Sequence, residues 1–566
     1  MNKLFYGDCL EILKGNNVKG DKHIKDESVD LIYLDPPFNS SRVYNVIFKE
    51  NGGKPSGAQI KGFDDTWTWG DNVALEYEDL KERGGKVAET MMGLERILGT
   101  SNMFAYLVMM AVRLVEMRRV LKDTGSIYLH CDQTAGHYIK IVMDAVFGVE
   151  NFRNEIVWRR TYAHNDPKRF GDIVDNILFY TKSNEYVWNP QYTPYTEEYR
   201  STFDKNDKRG AYMQVILTAP GTTNKGESGN PWKGYNPTTI GRHWSVPRTV
   251  RTLLKISEDT SINDALDIME KNDYIVWSKN GTPSFKQYLS TMPGAPIQNI
   301  WTDINRITAG SNEGMGYPTQ KPEALLERII KASSNEGDVV MDTFCGCGST
   351  VAVAQRLNRK WIGIDITHIA LTLIKNRLGK EAEGTYEVIG EPATAQEAEK
   401  LAQDDPYQFQ LWALGLDHAR PEGGIKKGKD QGIDGKRLFK VANPTRFETI
   451  IYSVKGGGVT SKDVRDLAWT ITREKAVIGV LISLHSITKD MKEEATKAGF
   501  YKSAGTLTKE GPFNRVQLFT VEDLMTKRKR VEYPHSFEDV TFMDAPKPKS
   551  ERKSDETTPL FDFKEE

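Results

Sequence analysis

The sequence predicts a doubly wound α/β sheet, interrupted by a large insert and followed by a second α/β segment. Three observations carry this reading. Short apolar runs alternate with helical periodicity through residues 1–184 and again through 316–382. The stretch 185–315 between them loses that rhythm and is rich in Tyr, Trp, Asn, Gly, Pro and Thr. A chain of 566 residues also exceeds one ordinary domain.

The elements follow in order. VDLIYL (29–34) reads as a buried strand ending at Asp35. FAYLVMMAVRLVEMRRVL (104–121) has helical periodicity, with a stop expected at Lys122-Asp123-Thr124-Gly125. SIYLHCD (126–132) reads as a strand and YIKIVMDAVFG (138–148) as a helix closed by Gly148. NEIVWRR (154–160) and NILFYTK (176–182) are two more strands. The insert is expected to form its own domain of irregular or β structure. The rhythm then returns: helix 323–333, strand DVVMD, a Gly-rich loop, a helix, strand WIGID and a helix from about 368 to 378. Residues 380–404 are charged and Ala-rich and are expected to link. A compact segment covers 405–535, opening with a helix at 405–416. Residues 540–566, rich in Lys, Glu, Ser and Pro, are expected to be disordered.

Composition narrows the class. Hydrophobic residues at 39% and charged residues at 27% suit a soluble globular chain with sizeable cores. With a net charge of −2, any nucleic-acid binding must come from basic residues gathered on one face. Cys9, Cys131, Cys345 and Cys347 form no CxxC pair and no cluster at zinc-ligand spacing, so no metal site is expected. They read as reduced thiols of a cytoplasmic protein. The N-terminus lacks the apolar core of a signal peptide, and no run of about 18 apolar residues predicts a membrane span.

Two motifs carry chemistry. Asp342-Thr343-Phe344-Cys345-Gly346-Cys347-Gly348-Ser349-Thr350 follows a strand and opens a helix. Its glycines allow a tight turn and close backbone approach to a ligand. Asp365 ends the next strand, where a carboxylate can accept both ribose hydroxyls of a nucleoside cofactor. This pair alone fits a dinucleotide or an S-adenosylmethionine (AdoMet) site. The Phe-x-Gly-x-Gly spacing suits an aminoacyl tail better than a pyrophosphate. The second motif is Asp35-Pro36-Pro37-Phe38, at the carboxy end of a strand. The prolines fix the backbone and remove two N–H donors. They leave the Asp35 carboxylate and the Pro36 carbonyl as acceptors, with an aromatic face at Phe38. Two acceptors can hold the two N–H groups of an aromatic amine and pyramidalise its nitrogen. The lone pair then points at a methyl donor, and direct in-line transfer needs no metal. Phe38 offers a surface for a flipped base.

In this order the motifs resemble the β-class amino DNA methyltransferases, over about residues 1–380. The resemblance implies an AdoMet-dependent methyltransferase (Rossmann-like) sheet with an inserted target-recognition domain. It implies AdoMet contacts from Asp8 and Cys9 at the adenine and from Lys321 of PTQKP (318–322) near the methionine end. Asp342, Phe344, Gly346, Gly348 and the ribose acid Asp365 complete the cofactor set. Many members carry Glu at the Asp365 position, so the reach here is shorter. Asp35, Pro36 and Phe38 are the implied catalytic residues. Double-stranded DNA is the implied partner, and a homodimer is compatible with it. Asp at the head of the tetrad favours N6 of adenine; the N4-cytosine enzymes more often carry Ser there. In the insert, Arg and Lys among Trp and Tyr suit phosphate and base contacts. Arg242, His243 and Arg248 are the candidates, whereas individual Trp residues read as core.

The 405–535 segment resembles a restriction-endonuclease-like (PD-(D/E)xK) domain through Asp434 and Lys455. The acid usually two residues before the Lys is Ser453 here, and Glu474 is the available substitute. Carboxylates must hold the metal for hydrolysis, so a DNA-binding or degenerate domain is favoured over an active nuclease. The tail TTPLFDF (557–563), with Leu560, Phe561 and Phe563, resembles sliding-clamp-binding peptides, though a frayed terminus is the plainer reading.

Overall fold

The computed structural model describes residues 1–15, 20–37, 42–49, 55–65, 69–162, 168–222, 227–308, 311, 313–315, 317, 319–422, 432–441, 446–502 and 511–534. The chain divides into two units, Met1–Asn189 with Asn299–Glu566, and Pro190–Gln298.

The first unit is built on a sheet whose strands, in chain order, are β1 (Asn2–Tyr6), β2 (Val29–Leu34), β3 (Leu121–Cys131), β4 (Phe152–Arg159), β5 (Val174–Thr181), β6 (Ile300–Trp301), β7 (Val339–Asp342), β8 (Lys360–Asp365) and β9 (Tyr386–Ile389). Their spatial order is β6-β4-β5-β3-β2-β7-β8-β1-β9. All pairs are parallel except those of β5 with β3 and β4. Every residue of β2 is buried, as a central strand covered on both faces requires. On one face it packs against α2 (Asn102–Val120) and α3 (Gly136–Phe147), whose apolar side chains form the largest core. α4 (Glu323–Ser333), α5 (Ser349–Arg356) and α6 (His368–Leu378) follow in the second half of the sheet. Pro322 precedes α4 in extended conformation and cannot lie deeper in a helix, which explains the expected start. Gly148 and Gly379, both at positive φ, end α3 and α6 as anticipated.

Two sequence expectations are corrected. Helix α2 ends at Val120 without a polar stop: Leu121 is already extended, fully buried and paired with Val29. Lys122–Gly125 therefore belong to β3, because burial of Leu121 in the sheet outweighs the turn signal. Residues 380–404 do more than link. Tyr386–Ile389 adds a short parallel edge strand to β1, and α7 (Ala395–Asp404) begins in a Thr394–Glu397 capping box.

α8 (Pro406–Gly415) then leads into a five-stranded sheet, β10 (Arg420–Pro421), β11 (Gly435–Val441), β12 (Arg446–Lys455), β13 (Ile478–Ser483) and β14 (Val516–Thr520), in that spatial order. α9 (Ser461–Arg473) covers one face of it. This is the expected C-terminal α/β domain. Leu411 of α8 packs on Ile369 and Leu373 of α6, so the domain is seated on the methyltransferase-like sheet.

The second unit has a four-stranded antiparallel sheet, ordered 275–277, 283–288, 210–216 and 205–207. It also contains a helix, Ile262–Lys271, that the sequence reading did not place. Trp232 and Trp244 fill its core, as expected for the individual tryptophans. Among the described residues no helix is long and apolar enough to cross a membrane.

Candidate functional site

The chain leaves β2 toward β3 on one side, but leaves β7 toward β8 on the other. Adjacent strands whose connections diverge open a crevice at their carboxy ends. Asp35 follows β2 there, and Asp342, in register with Tyr33, ends β7. One cavity at this point is lined by Asp8, Cys9, Asp35, Lys321, Asp342, Phe344, Gly346 and Asp365. The fold thus gathers residues more than 300 positions apart in sequence.

The loop after β7 is organised from within. Asp342 accepts from the Phe344 N–H at 3.0 Å and from the Thr350 hydroxyl at 2.6 Å. Burial pushes its carboxyl up to about 7 despite these bonds. Gly346 has φ +49°, and a Cβ there would lie 3.0 Å from the Tyr317 ring. Gly348 has φ +77°, and a Cβ would meet Ile374 at 2.6 Å. Both are glycines for conformation and space at once.

Asp365 lines the cavity and is held by the loop around it. One oxygen accepts from the Thr367 N–H and hydroxyl, both at 2.9 Å; the other accepts from the Gly346 N–H at 2.9 Å. A carboxylate has about four acceptor positions. Three of them are used within the protein. Burial raises its carboxyl to about 6, with those bonds acting against the shift.

Asp8 is likewise partly committed. It caps helix α1 (Cys9–Lys14) through Leu10 N–H at 2.8 Å, and its second oxygen binds Arg113 at 2.7 Å. Cys9 is buried, and burial pushes its thiol up to about 11, so it is a neutral wall. Lys321, expected at the methionine end of a cofactor, donates to Asp35 Oδ2 at 2.5 Å. Among the described residues, Asp35 Oδ1 is buried and has no hydrogen-bond partner. Pro36 is buried beside it. Phe38 and Pro318 lie outside the described residues. Sequence reasoning missed Tyr33, Arg113, Tyr317, Thr343 and Thr350, which also line the cavity. Thr343 and Thr350 had a signal, as hydroxyls within the Gly-rich motif, and among the described residues the Thr343 Oγ1 is buried without a partner.

These features fit AdoMet. The glycines open the loop, two buried polar atoms await partners, and Asp35, Asp342 and Asp365 surround a space suited to a sulfonium cation.

Elsewhere the expected contacts divide. In the second unit Arg242 is bound to the Thr218 hydroxyl and carbonyl at 2.8 and 2.6 Å, and His243 contacts the Gly221 carbonyl. Arg248 is 88% exposed, with its Nε 3.4 Å from the exposed Glu258 carboxylate. In the C-terminal domain Asp434 accepts from Val454 N–H at 2.6 Å and from Gln410 at 3.0 Å. Ser453 is buried, and Glu474 pairs with Arg473. Among the described residues no group of three or more His, Cys, Asp or Glu could hold a metal ion. The 557–563 peptide lies outside the described residues.

Comparison with known proteins agrees with this architecture. The family described as DNA methylase, of the N6/N4 type, matches residues 29–376. The family described as NACHT-associated inactive restriction endonuclease 1 matches 422–525. The type II methyltransferase M.EcaI of Enterobacter cloacae is 35% identical over 286 residues, 50% of this chain and 60% of that protein. The Mod subunit of the type III restriction-modification enzyme StyLTI of Salmonella typhimurium is 26% identical over 416 residues, 70% of this chain and 58% of the subunit. The DNA adenine methyltransferase YhdJ of Escherichia coli is 54% identical over 68 residues, 12% of this chain and 23% of that protein. The chain thus spans 60% or less of the length of each.

Proposed function

The chain belongs to the N6/N4 DNA methylase family of AdoMet-dependent enzymes, and on that premise we propose that it methylates N6 of adenine in duplex DNA after base flipping. One observation carries the reading. Asp35 keeps a buried Oδ1, without a partner among the described residues, at the sheet's switch point while Lys321 holds its Oδ2 at 2.5 Å.

AdoMet supplies an electrophilic methyl group when bound. Thr343, Gly346, Asp365, Cys9 and Asp8 are the residues to hold it. Asp35 Oδ1 accepts one N–H of the target amine and the Pro36 carbonyl accepts the other, which turns the nitrogen lone pair toward the donor. The Lys321 ammonium fixes the carboxylate so that one oxygen, not two, is presented. Tyr317 and the buried loop exclude water, where such oriented charges act most strongly. Phe38 is the stacking surface for the flipped base.

Adenine is favoured by Asp at the head of the tetrad, and the similarity to an adenine methyltransferase supports it. The Pro190–Gln298 unit selects the DNA sequence, with exposed Arg248 among its contacts. The C-terminal domain does not cleave DNA: Asp434 is consumed by structural bonds and Ser453 replaces an acid. Methylated nucleosides from treated DNA test the assignment. N6-methyladenine is expected, and N4-methylcytosine without it would overturn the choice of base. Asp35→Ala should abolish transfer while AdoMet still binds; retained activity refutes the role of Asp35.

A further inference from the structure

Beside the catalytic pocket runs a buried polar relay that no step above uses. The Tyr33 hydroxyl lies 3.2 Å from His130 Nδ1, and His130 Nε2 lies 3.1 Å from Asp175 Oδ2. Tyr33 is 1% exposed, His130 0% and Asp175 3%. The three groups come from β2, β3 and β5, neighbours in the sheet, and cross its carboxy edge. Tyr33 lies two residues before Asp35 at the end of β2, and both line the pocket.

The Asp175 carboxylate fixes the direction of the first bond. A carboxylate only accepts, so Nε2 carries a proton toward Asp175. Burial pushes the Asp175 carboxyl up, but the His130 bond and the charges of Lys321 and Arg160 outweigh it and hold it below the usual range. In the tautomer that carries its proton on Nε2, Nδ1 is the acceptor and takes the Tyr33 O–H at 3.2 Å. The Tyr33 proton is thereby directed into the sheet, away from the pocket.

Such a relay is costly to bury, and apolar side chains of similar volume would stabilise the core as well or better. Its position next to Asp35 gives it a use. We propose that His130 and Asp175 are positioning residues for methyl transfer, which hold the Tyr33 hydroxyl so that it presents an oxygen acceptor, not a proton, to the pocket beside Asp35. A donor turned outward would compete with the target amine for Asp35 and repel the cationic methyl donor. The inference rests on the methyltransferase reading above.

Single-turnover methylation at saturating AdoMet and DNA tests it, with AdoMet affinity and thermal midpoint measured on the same full-length variants. His130→Gln keeps a group near the Nε2 position and removes the acceptor for Tyr33. His130→Asn places an acceptor near the Nδ1 position. Tyr33→Phe and His130→Gln are expected to slow transfer roughly tenfold or more, with AdoMet affinity unchanged. Their combination should be no slower than either alone, as for residues acting as one unit. His130→Asn should recover transfer to within about threefold of the wild type. If Tyr33→Phe destabilises the fold, the two His130 variants still differ chiefly in where their amide sits. Wild-type rates in Tyr33→Phe, or equal rates in the two His130 variants, overturn the proposal alone. Absence of transfer by the wild type with AdoMet bound overturns the methyltransferase reading, and the proposal with it.

Discussion

AdoMet affinity is expected to fall as pH drops below about 6, because Asp365 must be ionised to accept a ribose hydroxyl and burial raises its carboxyl to about 6. The sign follows from proton bookkeeping. Below that value the free protein holds a proton that binding must expel, so acid opposes binding; above it the carboxylate is already formed. At pH 5 a carboxyl at about 6 is roughly nine-tenths protonated, so affinity falls about tenfold, worth about 1.4 kcal/mol. Asp342, raised to about 7 by burial, adds a second and separate step if the cationic cofactor draws off its proton as well. Calorimetric titration of AdoMet from pH 5 to 8, in two buffers of different ionisation enthalpy, reads both the affinity and the protons released. In Asp365→Asn the step near 6 should vanish and affinity at pH 8 should fall by about 1.5–3 kcal/mol, the range for a hydrogen bond to a charged group. An affinity constant across this range in the wild type, or a step near 6 that survives Asp365→Asn, refutes the assignment.

Lys321→Met removes the cation from a pair whose side chains are only 10% and 14% exposed. The uncompensated Asp35 carboxylate should cost about 3–5 kcal/mol, visible as a lowered thermal midpoint; an unchanged midpoint shows that the pair is not held in solution. Gly348→Ala adds a Cβ 2.6 Å from Ile374 at φ +77°. It should cost about 1–3 kcal/mol in backbone strain and lose AdoMet binding by calorimetry. Stability of the ligand-free protein should fall as pH rises from about 4 to about 7, because the folded state retains the Asp342 proton that the unfolded chain has lost. Asp342→Asn should flatten that portion of the thermal-midpoint profile. Incubation with Mg²⁺ and unmethylated DNA should give no cleavage, and site-dependent cutting lost on Asp434→Ala would reverse the reading of the C-terminal domain.

The strand and helix rhythm of the chain was legible because local signals and burial agreed: β2 is mostly apolar and buried throughout, and α4 begins after Pro322. The failures lie where strand pairing in the sheet overruled a local cue. Leu121 entered the sheet through a stretch that reads as a helix stop, and Tyr386–Ile389 became an edge strand within a charged segment. The same division holds at the site. Asp35, Gly346, Gly348 and Asp365 stand in motifs that were legible in the sequence, and the fold brings Asp35, Gly346 and Asp365 to one cavity. What each carboxylate has left to offer was decided only by the packed structure. Asp365 is three-quarters consumed by Thr367 and Gly346, Asp8 by a helix cap and Arg113, and Asp35 by Lys321 on one oxygen alone. Tyr33, His130 and Asp175 carried no motif at all, because a hydrogen bond between neighbouring strands depends on register, and register is fixed by the whole sheet rather than by adjacent residues.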